Sequence, residues 1–212
     1  MSSADLVFAL VAFPLLGAAL ALMAKSFPSA SPVGRVLEAV GAFVGLALPW
    51  AVLALSLDDM LAGVAYRGII GGWNPSVGIA YRFDGLAWML SLLGYALAGA
   101  AYIYTLGKGP RGPAFTAIFL IQTAALAATS MTADLFNLFV CLEILGIASY
   151  VLVASSRKPG AYLAAFSYLM VSATAMIFFL LGIYGFYRLT GSLSYEGIRT
   201  GLAALPDGGG LG

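Results

Sequence analysis

Long apolar runs recur along the whole chain, and short polar segments separate them. A helix needs about 20 residues, at a rise of about 1.5 Å each, to cross the hydrocarbon core of a bilayer. Six runs approach or exceed that length, and each is predicted to be a spanning helix: residues 4–24, 36–57, 84–105, 114–132, 135–154 and 162–188. The pattern therefore predicts an all-α membrane protein with about six transmembrane helices.

The connections between the runs predict little additional structure. Residues 56–83 place glycine and proline between the short stretches "VAYRGII" and "VGIAYRF", which is typical of a β-hairpin. The connection around "SMTADL" is so short that the fourth and fifth spans must be antiparallel neighbours. The last 24 residues contain a weakly amphipathic stretch and a glycine run, and no seventh span is completed.

Composition agrees with the membrane prediction and excludes several classes of chemistry. Of 212 residues, 62% are hydrophobic and 9% are charged, whereas soluble domains are about half apolar and about one quarter charged. A net charge of +1 with interspersed signs offers no basic patch for nucleic acid. The chain has no histidine and one cysteine, Cys141, so it holds no histidine-ligated haem, no iron-sulfur cluster and no internal disulfide. No cofactor and no metal are expected.

The distribution of charge predicts the orientation in the membrane. Residues 25–35, 107–113 and 155–160 carry positive charges and no acid: Lys25, Arg35, Lys108, Arg111, Arg157 and Lys158. Positive residues in short loops gather on the cytoplasmic side, so the N-terminus and the hairpin are predicted to lie outside. No Lys or Arg precedes the first run, which is unlike a signal peptide. We predict a multi-pass protein of the cell membrane with a retained first helix.

One ionisable side chain, Glu143, is predicted near the middle of a span. It lies nine residues after Asp134 in "ADLFNLFVCLEILGIASYVLVA", about 13 Å from the outer end of the helix. Loops and helix ends hold the other charged residues. An ionised carboxylate at this depth costs about 2.5 kcal/mol or more, so such residues are usually functional. We interpret Glu143 as a proton relay or gate; the alternative is a neutral Glu that bonds two helices together.

Polar residues of the neighbouring spans are weak candidates for a hydrated path to this carboxyl group. Most such groups bond to backbone carbonyls or to adjacent helices instead. An enzyme is not expected, because no nucleophile and base pair or phosphate-binding loop is present. The candidates are Gln122, Thr129, Ser149, Ser167, Ser172 and Thr174.

Three stretches resemble one known family. "SMTADLFNLFVCLEILGIASYVLVA" resembles the fifth-helix motif of the antiporter-like subunits shared by Mrp sodium/proton antiporters, membrane-bound hydrogenases and complex I, and looks closest to the D-type subunit of Mrp antiporters. "YRFDGLAWMLSLL" is similar to the start of the family's third helix. "FSYLMVSATAMIFFLLGIYGFYRLTGSLSYEGI" is similar to its sixth helix and the following loop.

The resemblance implies a proton or sodium/proton translocating subunit of a larger membrane complex, in which Glu143 matches a Glu that pairs with a seventh-helix lysine. It divides the chain into three leading helices with the hairpin (1–113), the first three helices of an inverted repeat of about five (114–188) and an extracellular loop or terminal segment (189–212). No lysine lies inside the six predicted spans. The lysine-bearing helices are expected from another chain or segment, as are any redox reactions. The alternative is a non-conducting subunit that completes a helix bundle.

Overall fold

Helices dominate the computed structural model, which describes residues 3–28, 31–69, 80–156 and 158–204. Six of the described helices are long and apolar enough to cross a membrane, as predicted. Two ends differ from the prediction, because the second spanning helix begins at Pro32 and the third continues to Lys108. The helices are α1 Ser3–Ala24, α2 Pro32–Leu55, α3 Leu57–Leu61, α4 Gly85–Lys108, α5 Pro113–Met131, α6 Leu135–Ser155, α7 Ala161–Thr190 and α8 Tyr195–Ala203.

Helices α1, α2 and α5 form the centre of the bundle. Gly17 of α1 faces Gly41 of α2 so closely that a methyl group added at Gly41 would lie 2.5 Å from the Gly17 carbonyl oxygen. One turn further along α2, Gly45 packs against Leu120 of α5. Small residues at such crossings let helix backbones approach and gain van der Waals contact without a hydrophobic driving force.

Two aromatic side chains attach α4 to this centre. The Trp88 indole N–H donates a hydrogen bond to the Leu53 carbonyl of α2 over 2.9 Å. The Tyr95 hydroxyl, which is fully buried, donates to the Leu10 carbonyl of α1. Leu10 precedes Pro14 by one turn, and proline cannot donate the backbone hydrogen bond that this carbonyl would otherwise accept. The tyrosine therefore supplies the missing donor.

A two-stranded antiparallel sheet lies between α3 and α4. Strands β1 (Tyr66–Ile69) and β2 (Ala80–Phe83) pair with Tyr66 opposite Phe83. The two strands lie where strands were predicted, and residues 70–79 between them lie outside the described part of the chain. The extracellular position of this hairpin stays a prediction. We call the side of the bundle that carries this sheet the hairpin end. The opposite side, where residues 25–31, 109–112 and 156–160 connect the helices, is called the basic end.

An extended segment at the α5–α6 junction joins the loops of the hairpin end. The Ala133 backbone N–H donates to the Ala80 carbonyl of β2 over 3.0 Å. The Ala133 carbonyl accepts from Tyr195, and the Leu135 N–H donates to the Leu193 carbonyl, over 3.0 and 2.9 Å. The start of α6 is thereby bonded on one side to the hairpin and on the other to the segment before α8.

Helix α8 carries an exposed ion pair at the hairpin end. The Arg199 guanidinium lies 2.8 Å from the Glu196 carboxylate. The hydrogen bond and the charge of Arg199 lower the pKa of the Glu196 carboxyl group, and Arg67 and Arg82 of the hairpin act in the same direction. This acid therefore remains ionised at neutral pH.

The outer helices present apolar surfaces that the described chain leaves uncovered. Eight of the 19 residues of α5 are buried, compared with two of 21 in α6 and two of 30 in α7. Large side chains such as Phe178, Leu181 and Tyr184 are more than half exposed. In a bilayer these faces contact lipid tails or further helices.

Candidate functional site

Glu143 is the ninth residue of α6 and lies near the middle of that helix. Its side chain is half-buried. Among the described residues it has no hydrogen bond or ion pair. The carboxylate thus retains its capacity to accept hydrogen bonds or to pair with a cation.

A buried carboxylate fixes the start of the helix that carries Glu143. Asp134 accepts a hydrogen bond from the Asn137 backbone N–H over 2.8 Å, which satisfies one of the free donors of the first turn. The Asn137 side-chain amide donates to the Thr132 hydroxyl over 2.8 Å, and that hydroxyl donates to the Asp134 carbonyl. These bonds set the position of α6 relative to α5, and so the position of Glu143.

Replacing Asp134 with Ala is expected to lower the free energy of unfolding by about 1–2 kcal/mol, because the N-cap bond is lost. Asp134→Asn is the matched control, since Asn is an equally good N-cap and should cost little. The measurement is the temperature at which half of the complex no longer elutes as a monodisperse peak from size-exclusion chromatography in detergent. Equal loss for both variants would contradict the capping role.

Three of the six weak candidates meet in one cavity. The Gln122 amide of α5 donates to the Ser149 hydroxyl of α6 over 3.2 Å, and Ser149 itself donates to the Leu145 carbonyl. Ser172 of α7 completes the set. The cavity measures about 560 Å³ and lies among α4, α5, α6 and α7. Glu143 does not line it, so this polar group and the carboxylate occupy different sides of α6.

The other three candidates lie elsewhere. Thr129 and Thr174 each donate to the carbonyl four residues earlier in the same helix, over 2.8 Å. This is the ordinary back-bonding of threonine in helices. Ser167 is exposed on α7. Among the described residues, no group of three acidic or thiol side chains could hold a metal ion.

A second acid, Glu38, lies inside a spanning helix. Its carboxylate accepts a hydrogen bond from the Thr116 hydroxyl of α5 over 2.8 Å, and the Tyr102 hydroxyl of α4 lies 3.2 Å from Thr116. The sequence predicted that this helix begins at residue 36, which would place Glu38 in its first turn. In the structure α2 begins at Pro32, so nearly two turns of helix precede Glu38. The Pro at the first turn was the signal that could have found this position.

Comparison with known proteins assigns the segment that contains Glu143. Residues 132–208 match the family described as NADH:quinone oxidoreductase/Mrp antiporter, TM. This segment belongs to that family. The match begins at the α5–α6 junction and runs through α6, α7 and α8, so both the Asp134 cap and Glu143 lie within the family's membrane domain.

Curated relatives of the family extend the likeness to most of the chain. The N subunit of NADH-quinone oxidoreductase from Desulforudis audaxviator is 36% identical over 155 residues, which are 71% of this chain and 31% of that protein. The D subunit of a probable K(+)/H(+) antiporter from Rhizobium meliloti is 32% identical over 171 residues, 76% of this chain and 32% of that protein. The chain thus spans about a third of the length of these relatives.

Solved structures of the family share the fold of this chain. The Mrp complex from Dietzia sp. DQ12-45-1b aligns with a TM-score of 0.73 at 22% identity, over 96% of this chain and 40% of that one. Respiratory complex I from Thermus thermophilus aligns with a TM-score of 0.64 at 25% identity, over 93% and 42%. With its six apolar spans, the chain is a multi-pass protein of the cell membrane.

Proposed function

We propose that this chain forms part of an ion-translocating, antiporter-like subunit of an Mrp-type or complex I-type membrane complex, and that Glu143 carries or gates the proton. The observation that supports the proposal is a half-buried carboxylate in mid-helix, without a hydrogen bond or ion pair among the described residues, inside the segment shared with the family. The relatives, named as an antiporter D subunit and an oxidoreductase N subunit, suggest the same class of activity.

The chemistry requires a cation near Glu143 whose position changes. An apolar environment favours the protonated carboxyl, and a nearby cation favours the carboxylate. A lysine that approaches and withdraws would therefore make the same Glu release and then bind a proton. Such a pair converts a movement of helices into proton transfer across the membrane midplane.

We propose that the cation comes from helices beyond the six spans. Described lysines lie only at the basic end: Lys25, Lys108 and Lys158. The largely uncovered surfaces of α6 and α7 leave room for more helices beside Glu143, and the relatives are about three times as long as the matched region. In this arrangement residues 1–113 are the leading helices and 114–188 the beginning of an antiporter repeat.

The remaining partners follow from the same proposal. Other membrane subunits would surround this one, and electron transfer, in a complex that performs it, would occur in partner chains. The experiment that tests the proposal exchanges Glu143 for Gln in the intact subunit and measures coupled ion movement in vesicles. Normal transport by an assembled variant would favour a structural subunit that only completes the bundle.

A further inference from the structure

Three cationic side chains line a cavity at the basic end of the described chain. It measures about 450 Å³ and lies between the α1–α2 connection, the end of α4 and the start of α5. Lys25, Arg35 and Arg111 line it. None of the three forms an ion pair with an acid among the described residues. Its size falls within the range of small-molecule sites, about 300–1,000 Å³.

Two helix starts add positive potential to the same cavity. Gly34 of α2 and Pro113 of α5 line it, and both helices begin with proline and have no side-chain cap at their first turn. Their free backbone N–H groups and the positive ends of their dipoles favour an anion. The C-terminal ends of α1 and α4 lie on the same side of the bundle. Lys25 follows α1 and Lys108 is the last residue of α4, so these two cations offset the negative ends of the helix dipoles.

Part of the remaining wall is apolar, which distinguishes this cavity from a site built only of polar groups for a soluble anion. Phe27, Leu106 and Phe115 line it together with the cations. The cavity lies among the ends of α1 and α4 and the starts of α2 and α5, so in a bilayer we expect it near the membrane surface. A lipid would fit both kinds of wall, with its headgroup at the cations and its acyl chains along the aromatic side chains.

We propose that this cavity binds the headgroup of an anionic phospholipid, with its phosphate held by Arg35, Arg111 and Lys25. Basic pockets between transmembrane helices on the cytoplasmic side bind such headgroups, and the charge asymmetry of the connections predicts that the basic end faces the cytoplasm. This site is separate from Glu143 and does not depend on the role proposed for that residue.

Glu38 allows a second test of the proposed lipid site, in which a substitution is expected to strengthen binding and not to weaken it. Its carboxylate lines the cavity and accepts the Thr116 hydroxyl. It lowers the positive potential at the site, so its removal strengthens the binding of an anion. A site for a cation or a proton would respond in the opposite direction.

The experiment compares labelled phosphatidylglycerol with labelled phosphatidylcholine, bound to the intact subunit in its complex, in nanodiscs of phosphatidylcholine. The parent protein should prefer phosphatidylglycerol. Arg35→Gln and Arg111→Gln should each reduce that preference about fivefold, the contribution of one cation near a charged lipid. Glu38→Gln, which keeps an acceptor for Thr116, should increase it.

Arg188→Gln is the matched control, because this arginine is exposed in the last turn of α7 at the hairpin end. It should leave the preference unchanged. Equal binding of the two lipids by the parent, an equal loss in Arg188→Gln and Arg35→Gln, or a decrease in Glu38→Gln would each overturn the proposal. Full displacement by excess inorganic phosphate would also overturn it, in favour of a site for a soluble anion.

Discussion

Vesicles that contain the intact subunit with Glu143→Gln should show almost no coupled proton movement, while the complex assembles at its normal level. Gln has nearly the same volume as Glu and can still accept and donate hydrogen bonds, but it cannot release a proton. Packing around α6 is therefore retained and only the ionisable group is lost. Because the carboxyl is the proposed carrier, we expect transport to fall by about two orders of magnitude, as for loss of a positioned acid or base. The measurement is the fluorescence change of a pH-sensitive dye inside the vesicles after an imposed cation gradient.

Two further variants separate the role of the charge from that of the shape. Glu143→Asp keeps the acid on a shorter side chain and should retain part of the activity. Glu196→Gln removes an acid of α8 that lies at the surface beside Arg199, and should leave transport unchanged. If Glu143→Gln transports normally, the carrier is another group. If it fails only because the complex does not assemble, the residue is structural.

Replacing Gly41 with Ala should prevent the normal packing of α1 against α2. The added methyl group would lie 2.5 Å from a backbone oxygen of Gly17 and 3.1 Å from the backbone nitrogen of Ala21. Backbone atoms in two packed helices cannot move aside as a flexible side chain can, so the helices must separate. We expect a loss of about 3 kcal/mol or more, at the upper end of overpacking effects. The yield of folded protein in the membrane and its thermal midpoint in detergent are the measurements.

Gly99→Ala provides the matched control for this prediction. Gly99 lies inside α4, and no neighbouring atom of the described chain would come within 4 Å of its added methyl group. Alanine is the better helix former by about 1 kcal/mol, so this variant should be neutral or slightly more stable. The same substitution thus has opposite signs at the two positions. Similar effects in both would contradict the close crossing of α1 and α2.

The spanning helices could be predicted from the sequence because bilayer thickness fixes their minimum length. Runs of apolar residues therefore identify them even where no amphipathic period is present. The ends of the helices were harder to predict. Arg35 lies three residues after Pro32, and a charge next to an apolar run suggests a loop. Proline in a first turn costs no hydrogen bond, so α2 begins before the charge. This earlier start is what places Glu38 inside a helix.

The position of Glu143 in mid-helix followed from counting residues, but its surroundings did not. Gln122 and Ser149 meet because α5 and α6 pack with a particular rotation, and a sequence with apolar residues on every face of its helices does not specify that rotation. The sequence likewise could not show that Thr116 bonds to Glu38, which is 78 positions earlier in the chain. Contacts between helices with no apolar stripe require the three-dimensional structure.

The backbone hydrogen bonds around Ala133 have a mechanical consequence for α6. They hold the first turn of that helix to the hairpin on one side and to the segment before α8 on the other. The opposite end of α6 continues into the short connection to α7. A rod fixed at one end pivots there, and its displacement grows with distance from the pivot. Any tilt of α6 would therefore move Glu143 sideways by less than half as far as Ser155, and that motion would need no change at the hairpin end.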